Sequence, residues 1–88
     1  MEREDIILNG AFDPARIRKT AQVPIICIYE HPSDYPDKFV ARLYDLTHPT
    51  RYVVLADTLE EARKAVPGEM FRFPRDQKDD PVIVESYL

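Results

Sequence analysis

Apolar and polar positions divide this chain into short extended segments and one well-marked helix. Residues 23–30, Val-Pro-Ile-Ile-Cys-Ile-Tyr-Glu, form the most apolar run. Apolar on both alternating faces, the run fits a strand covered on both sides, with Pro24 at its start where a missing donor does least harm. Residues 39–45 alternate, placing Phe39, Ala41 and Leu43 on one face and Val40, Arg42 and Tyr44 on the other. Residues 52–56 are rich in β-branched side chains and read as a strand, as do the short segment 70–73 and the final segment 82–87. Only residues 59–66 carry a helical period: Leu59, Ala62 and Val66 stand at i, i+3 and i+7, with Ala65 beside them. Thr58-x-x-Glu61 supplies a capping box at the start of this helix and Pro67-Gly68 a stop at its end. A helix this short persists only when its apolar stripe docks on something, here the sheet.

The first 22 residues read in two ways. Ile6-Ile7-Leu8 before Asn9-Gly10 suggests a short strand and turn, while Asp13-Pro14 suggests an N-cap and first helical position for residues 15–21. The thin apolar side of that second segment also suits a loosely held arm. The remainder, residues 23–88, reads as one domain with the order β-β-β-α-β-β, an α+β sheet with one helix on one face. In the first hairpin, setting Asp45 opposite Arg51 makes Tyr44 meet Tyr52 and Arg42 meet Val54, an ion pair followed by an aromatic pair. A slip of one residue would reverse which side chains face the core.

That register has a consequence. With the helix on Phe39, Ala41, Leu43, Val53 and Leu55, the opposite face carries Val40, Arg42, Tyr44, Tyr52 and Val54, too apolar a surface to stand bare. Residues 1–22, a second subunit or a ligand could cover it, and tyrosines flanking an arginine suit an interface. Arg42, Tyr44, Tyr52 and Val54 are therefore the expected interaction face.

Composition narrows the function classes. The chain has 88 residues and a net charge of −4, so one small core is expected and non-specific binding to nucleic acid or anionic membrane is disfavoured. Its single cysteine, Cys27, cannot form an internal disulfide, and its two glycines exclude glycine-rich phosphate loops. Lacking any signal-peptide or membrane-span pattern, the chain is expected in the cytoplasm.

Candidate chemistry is sparse. His31, Asp34 and Asp37 recur at every third residue of a proline-punctuated loop and could hold a divalent ion, although aspartate and proline are also ordinary turn formers. Cys27 and His31 lie about 13 Å apart along an extended chain, too far for a nucleophile and its base. His48 reads as a turn residue. Asp76, Asp79 and Asp80 lack the glycine and final glutamate of an EF-hand and alternate with Arg75 and Lys78, as in a solvated loop. Arginines 42, 51, 63, 72 and 75 could converge on an anion, and Glu60 with Lys64 is an ordinary helix-surface pair. No hydrolase elbow, zinc-finger spacing, HExxH or P-loop is present, and no cofactor is implied.

Three segments, Cys27-Ile-Tyr-Glu-His-Pro-Ser-Asp-Tyr-Pro-Asp-Lys-Phe-Val-Ala-Arg42, Ala56-Asp-Thr-Leu-Glu-Glu-Ala-Arg63 and Asp79-Asp-Pro-Val-Ile-Val-Glu-Ser-Tyr87, carry a resemblance. Together they resemble small uncharacterised bacterial and phage-associated proteins over residues 25–88. The resemblance implies an intracellular bacterial origin and nothing about chemistry. Three readings follow: a non-enzymatic domain that associates, with itself first of all, through a sheet face or edge strand; a small enzyme or metal-dependent site in the 31–37 loop; and an anion or nucleic-acid binder using scattered arginines.

Overall fold

The computed structural model describes residues 5–74 and 82–88. Its elements follow in the order β1 (Ile6–Ile7), α1 (Pro14–Thr20), β2 (Pro24–Glu30), β3 (Phe39–Asp45), β4 (His48–Ala56), α2 (Leu59–Ala65), β5 (Arg72–Pro74) and β6 (Ile83–Tyr87). The strands form one six-stranded sheet in the spatial order β1-β4-β3-β2-β6-β5. β2, β3 and β4 make an antiparallel meander, β6 adds to the other side of β2, β5 pairs antiparallel with β6, and β1 lies parallel to β4. The architecture is α+β with a mixed sheet. The N-terminal segment supplies both of its expected elements, a strand and a helix.

Each helix begins where its capping residue stands. Asp13 accepts a hydrogen bond from the Ala15 amide at 3.0 Å with Pro14 in the first turn, and Thr58 accepts from the Glu61 amide at 3.1 Å. Glu60 and Glu61 occupy the first turn of α2 and Arg63 and Lys64 its last, each sign suited to the helix dipole there. Both helices pack on the same face of the sheet. Phe12, Ile17, Ala62, Ala65 and Val66 meet Ile26, Ile28, Ala41, Leu43, Val54 and Ala56 in one buried cluster. The Phe12 amide donates to the Ala65 carbonyl at 2.9 Å, joining the approach to α1 with the end of α2.

The hairpin register differs from expectation by one residue away from the turn and by three beside it. Arg42 pairs with Val53 and Ala41 with Val54, whereas nearer the turn Tyr44 pairs with Pro49 and Asp45 with His48. β4 is accordingly longer than the expected 52–56, and the turn is only Leu46 and Thr47, with Leu46 in the left-handed region at φ 55°. The extra β4 residues bulge out around Thr50, whose hydroxyl donates to the Leu43 carbonyl at 2.7 Å and accepts from the Tyr52 amide at 3.2 Å. That hydroxyl replaces the ladder contacts the bulge interrupts, which makes the displaced register tolerable. As a result Tyr52 and Val54 turn towards the helices and Val53 and Leu55 towards the opposite, outer face.

The outer face is also covered differently from expectation. Of the described N-terminal residues, Asp5 reaches the outer face and Ile7 borders it from the sheet edge, while α1 lies with α2 on the other side. The loop of residues 31–38 folds over the outer face instead, closed at its base by the His31 amide donating to the Lys38 carbonyl at 3.0 Å. His31 takes the left-handed conformation, φ 47°, where β2 gives way to this loop. The acidic loop with Asp76, Asp79 and Asp80, together with Arg75 and Lys78, lies outside the described residues.

Candidate functional site

The outer face divides into two halves of opposite character. Across the sheet, Phe73 of β5 stands beside Ser86 of β6, then Cys27 of β2, Arg42 of β3, Val53 of β4 and Ile7 of β1. The boundary falls between Cys27 and Arg42.

Arg42 organises the first half. Its two terminal nitrogens donate to both oxygens of Asp5 at 2.9 and 3.0 Å, and Nη1 also donates to the Thr50 carbonyl at 3.0 Å. Tyr35, from the covering loop, donates to the same Asp5 carboxylate at 2.9 Å, and Asp34 lies 3.6 Å from Arg42. The Tyr29 and Tyr44 hydroxyls are hydrogen-bonded to each other. The bond to Asp5 raises the Arg42 pKa, so the guanidinium stays charged; burial, then the bond to Tyr44, raises that of Tyr29, which stays neutral. Beneath this clasp Val40 and Val53 are buried although they lie on the face without helices. Among the described residues, no buried side-chain nitrogen or oxygen is left without a hydrogen bond. The cluster therefore satisfies itself: its arginine already holds a carboxylate, and its tyrosines hold one another.

Among the described residues, the second half carries no such cover. Phe71 is 75% exposed, Leu88 51% and Phe73 48%. Phe71 and Leu88 exchange both backbone hydrogen bonds, at 2.7 and 3.0 Å, so their side chains share a side of the sheet. By alternation Phe73 and Ser86 share it too. Cys27, half-buried, borders this surface with its sulfur 3.4 Å from the Ser86 hydroxyl. The same alternation points the backbone of Arg72 outwards along the sheet edge, and the next outward position, Pro74, has no N–H.

The sequence-derived candidates are distributed as follows. Of the expected interaction residues, Arg42 and Tyr44 lie together in the polar half, whereas the register displacement moves Val54 into the core and Tyr52 against it. Of the loop residues, Asp34 turns to Arg42, His31 lies edge-on to Phe39 with ring centroids 5.2 Å apart, and Asp37 is exposed. Among the described residues no group of three His, Cys, Asp or Glu side chains is placed to hold a metal ion. The arginines separate. Arg42 serves the outer face, while Arg63 donates to both oxygens of Glu85 at 2.9 Å on the helix face, with Arg72 3.9 Å from the same carboxylate. Burial pushes the Glu85 carboxyl up, but donors from Arg63 and Tyr87 outweigh it, so its pKa falls below the ordinary value. Phe71, Phe73 and Leu88 were absent from the sequence-derived candidates; the alternation Phe-Arg-Phe was their only signal.

No helix among the described residues is long and apolar enough to cross a membrane. Comparison with protein-family models, with curated proteins and with solved structures finds no match for this chain.

Proposed function

We propose that this chain is a non-enzymatic interaction domain that associates with a second copy of itself through the open half of its outer face. The observation that carries the reading is the run of Phe71, Phe73 and Leu88, large apolar side chains at about half exposure or more on one side of β5 and β6. A full aromatic side chain presents about 150–250 Å², so these three expose on the order of 300 Å². A patch of that size is within the range of ordinary monomers; what favours a contact is that its side chains are large and lie together on one side of paired backbone segments. The face favours pairing over the edge does: Arg72 offers the only outward N–H of β5 before Pro74 ends the ladder, and proline protects edges in this way. The patch alone falls short of the roughly 800 Å² per partner of a stable interface, so the dimer is weak and depends on concentration.

Sedimentation equilibrium across micromolar to millimolar concentrations tests this reading. The molar mass should climb from 10.3 kDa towards twice that value as concentration rises. Alkylation of Cys27, which borders the patch, should slow over the same range. A molar mass that stays at one chain throughout would end the proposal.

A further inference from the structure

Two segments far apart in sequence meet on one carboxylate. Asp5 leads into β1, which is bonded to β4, the Leu8 amide donating to the Val53 carbonyl at 2.8 Å. The 31–38 loop is bonded within itself: the Tyr35 amide donates to the Pro32 carbonyl at 2.9 Å and the Lys38 amide to the Tyr35 carbonyl at 3.1 Å. Asp5 joins the two, because its carboxylate accepts from Arg42 of the sheet and from the Tyr35 hydroxyl of the loop. Burial holds neither segment firmly. None of residues 5–8 and none of residues 31–38 is fully buried. A hollow of about 170 Å³ is lined by Pro32 and Asp34 from the loop and by Tyr29, Val40 and Arg42 from the sheet, so the loop does not pack flush on the strands below it. Its base has holds of its own, the His31 amide on the Lys38 carbonyl and the Lys38 ammonium on Asp57. The part that depends on the clasp is therefore residues 32–37.

We infer that the N-terminal strand and the 31–38 loop form a two-part strap that opens and closes as one unit, with Asp5 as the shared catch. The least stable parts of a fold open ahead of the rest in cooperative units, and segments with few buried contacts are drawn from that end. Coupling between two such parts is reciprocal: if release of β1 favours release of the loop, release of the loop favours release of β1 by the same factor. Opening bares Val40 and Val53, exposed to only 1% and 0% in the closed form. Val53 lies in the same cross-sheet row as Cys27 and Phe73, so the state of the strap sets how much apolar surface the outer face presents.

Amide hydrogen exchange in dilute solution tests the coupling. Asp5→Asn alters only the N-terminal segment, yet exchange at the Tyr35 and Lys38 amides of the loop should quicken at least about tenfold, the scale of one hydrogen bond to a charged group. Tyr35→Phe alters only the loop, yet exchange at the Leu8 amide should quicken by a similar factor. Combining the two should add little to either, as for changes at one shared contact. Amides of β2 and β3 report global unfolding and should change less. Tyr35→Phe keeps the pair between Arg42 and Asp5, and serves alone should Asp5→Asn not fold. If each variant quickens only its own segment, the two parts open separately and the strap is wrong. If the amides of β2 and β3 quicken equally, neither part opens ahead of the fold and the strap is wrong as well.

Discussion

The two halves of the outer face are built from one alternating pattern and end in opposite states. Around Arg42, a carboxylate from the N-terminal segment and a tyrosine from the 31–38 loop close over Val40 and Val53, and these valines are as buried as any residue beneath the helices. Around Phe71 and Phe73 no charged group among the described residues fastens a loop across the surface, and the rings are half exposed or more. Arg42 is thus worth more to the fold than its own contacts suggest, because it anchors the segments that shelter the valines. On the covered half, the charged group that the loop and the N-terminal carboxylate share is what holds them across apolar side chains.

Breaking the fastening should have the largest effect. Arg42→Ala leaves the Asp5 carboxylate, itself 12% exposed, without its main partner, and should destabilise the protein by about 3–5 kcal/mol in urea titration. Replacing both members together, Arg42→Met with Asp5→Asn, should be milder than the sum of the single changes. A loss below about 1 kcal/mol for Arg42→Ala would mean that the two halves do not differ in the way described.

Truncation beneath and beside the clasp sharpens the comparison. Val53→Ala removes two buried methyls and should cost about 2 kcal/mol. Phe73→Ala, in the open half, should change the stability of the dilute monomer by less than about 0.5 kcal/mol. Equal effects would erase the distinction between the halves.

On the helix face the same logic is readable through pH. Glu85 has a folded pKa below its ordinary value of 4.5, so its contribution is present above that pH and is lost as the pH falls through the folded value. Tyr87, raised by burial and then by its bond to Glu85, is pushed up to about 12 from 10.0; its contribution is full below pH 10 and lost as the pH rises towards 12. Denaturation midpoints measured from pH 2 to 8 should fall on the acid side, and less steeply in Glu85→Gln. An unchanged acid limb in that variant would remove Glu85 from the account.

The smallest expected effect belongs to the bulge. Thr50→Val deletes the hydroxyl that bridges Leu43 and Tyr52 and should cost about 1 kcal/mol, measured by the same titration. Amide exchange at Tyr52, whose N–H donates to that hydroxyl, should quicken in the variant.

Much of the architecture was legible along the chain. Asp13-Pro14 and Thr58-x-x-Glu61 mark their helix starts because a capping side chain bonds an amide two or three residues away, a contact available to the chain locally. The alternation of residues 39–45 placed Phe39, Ala41 and Leu43 against the helices, as observed. The interaction face was legible only in part. Arg42 and Tyr44 stand on the outer face as expected, but Tyr52 and Val54 do not, because the Thr50 bulge displaces the ladder. Nothing in the local spacing of β4 distinguishes the two registers; the Leu43 carbonyl that Thr50 bonds belongs to the neighbouring strand.

By itself, then, the sequence determined which stretches extend, which coil and where each helix begins, since these follow from caps, turns and periods spanning a few residues. Only the tertiary structure decided the hairpin register, the meeting of Asp5 with Arg42 and the exposure of Phe71. The physical reason is distance along the chain. Those outcomes rest on contacts between residues far apart in sequence, and their free energy exists only once the sheet has brought them together.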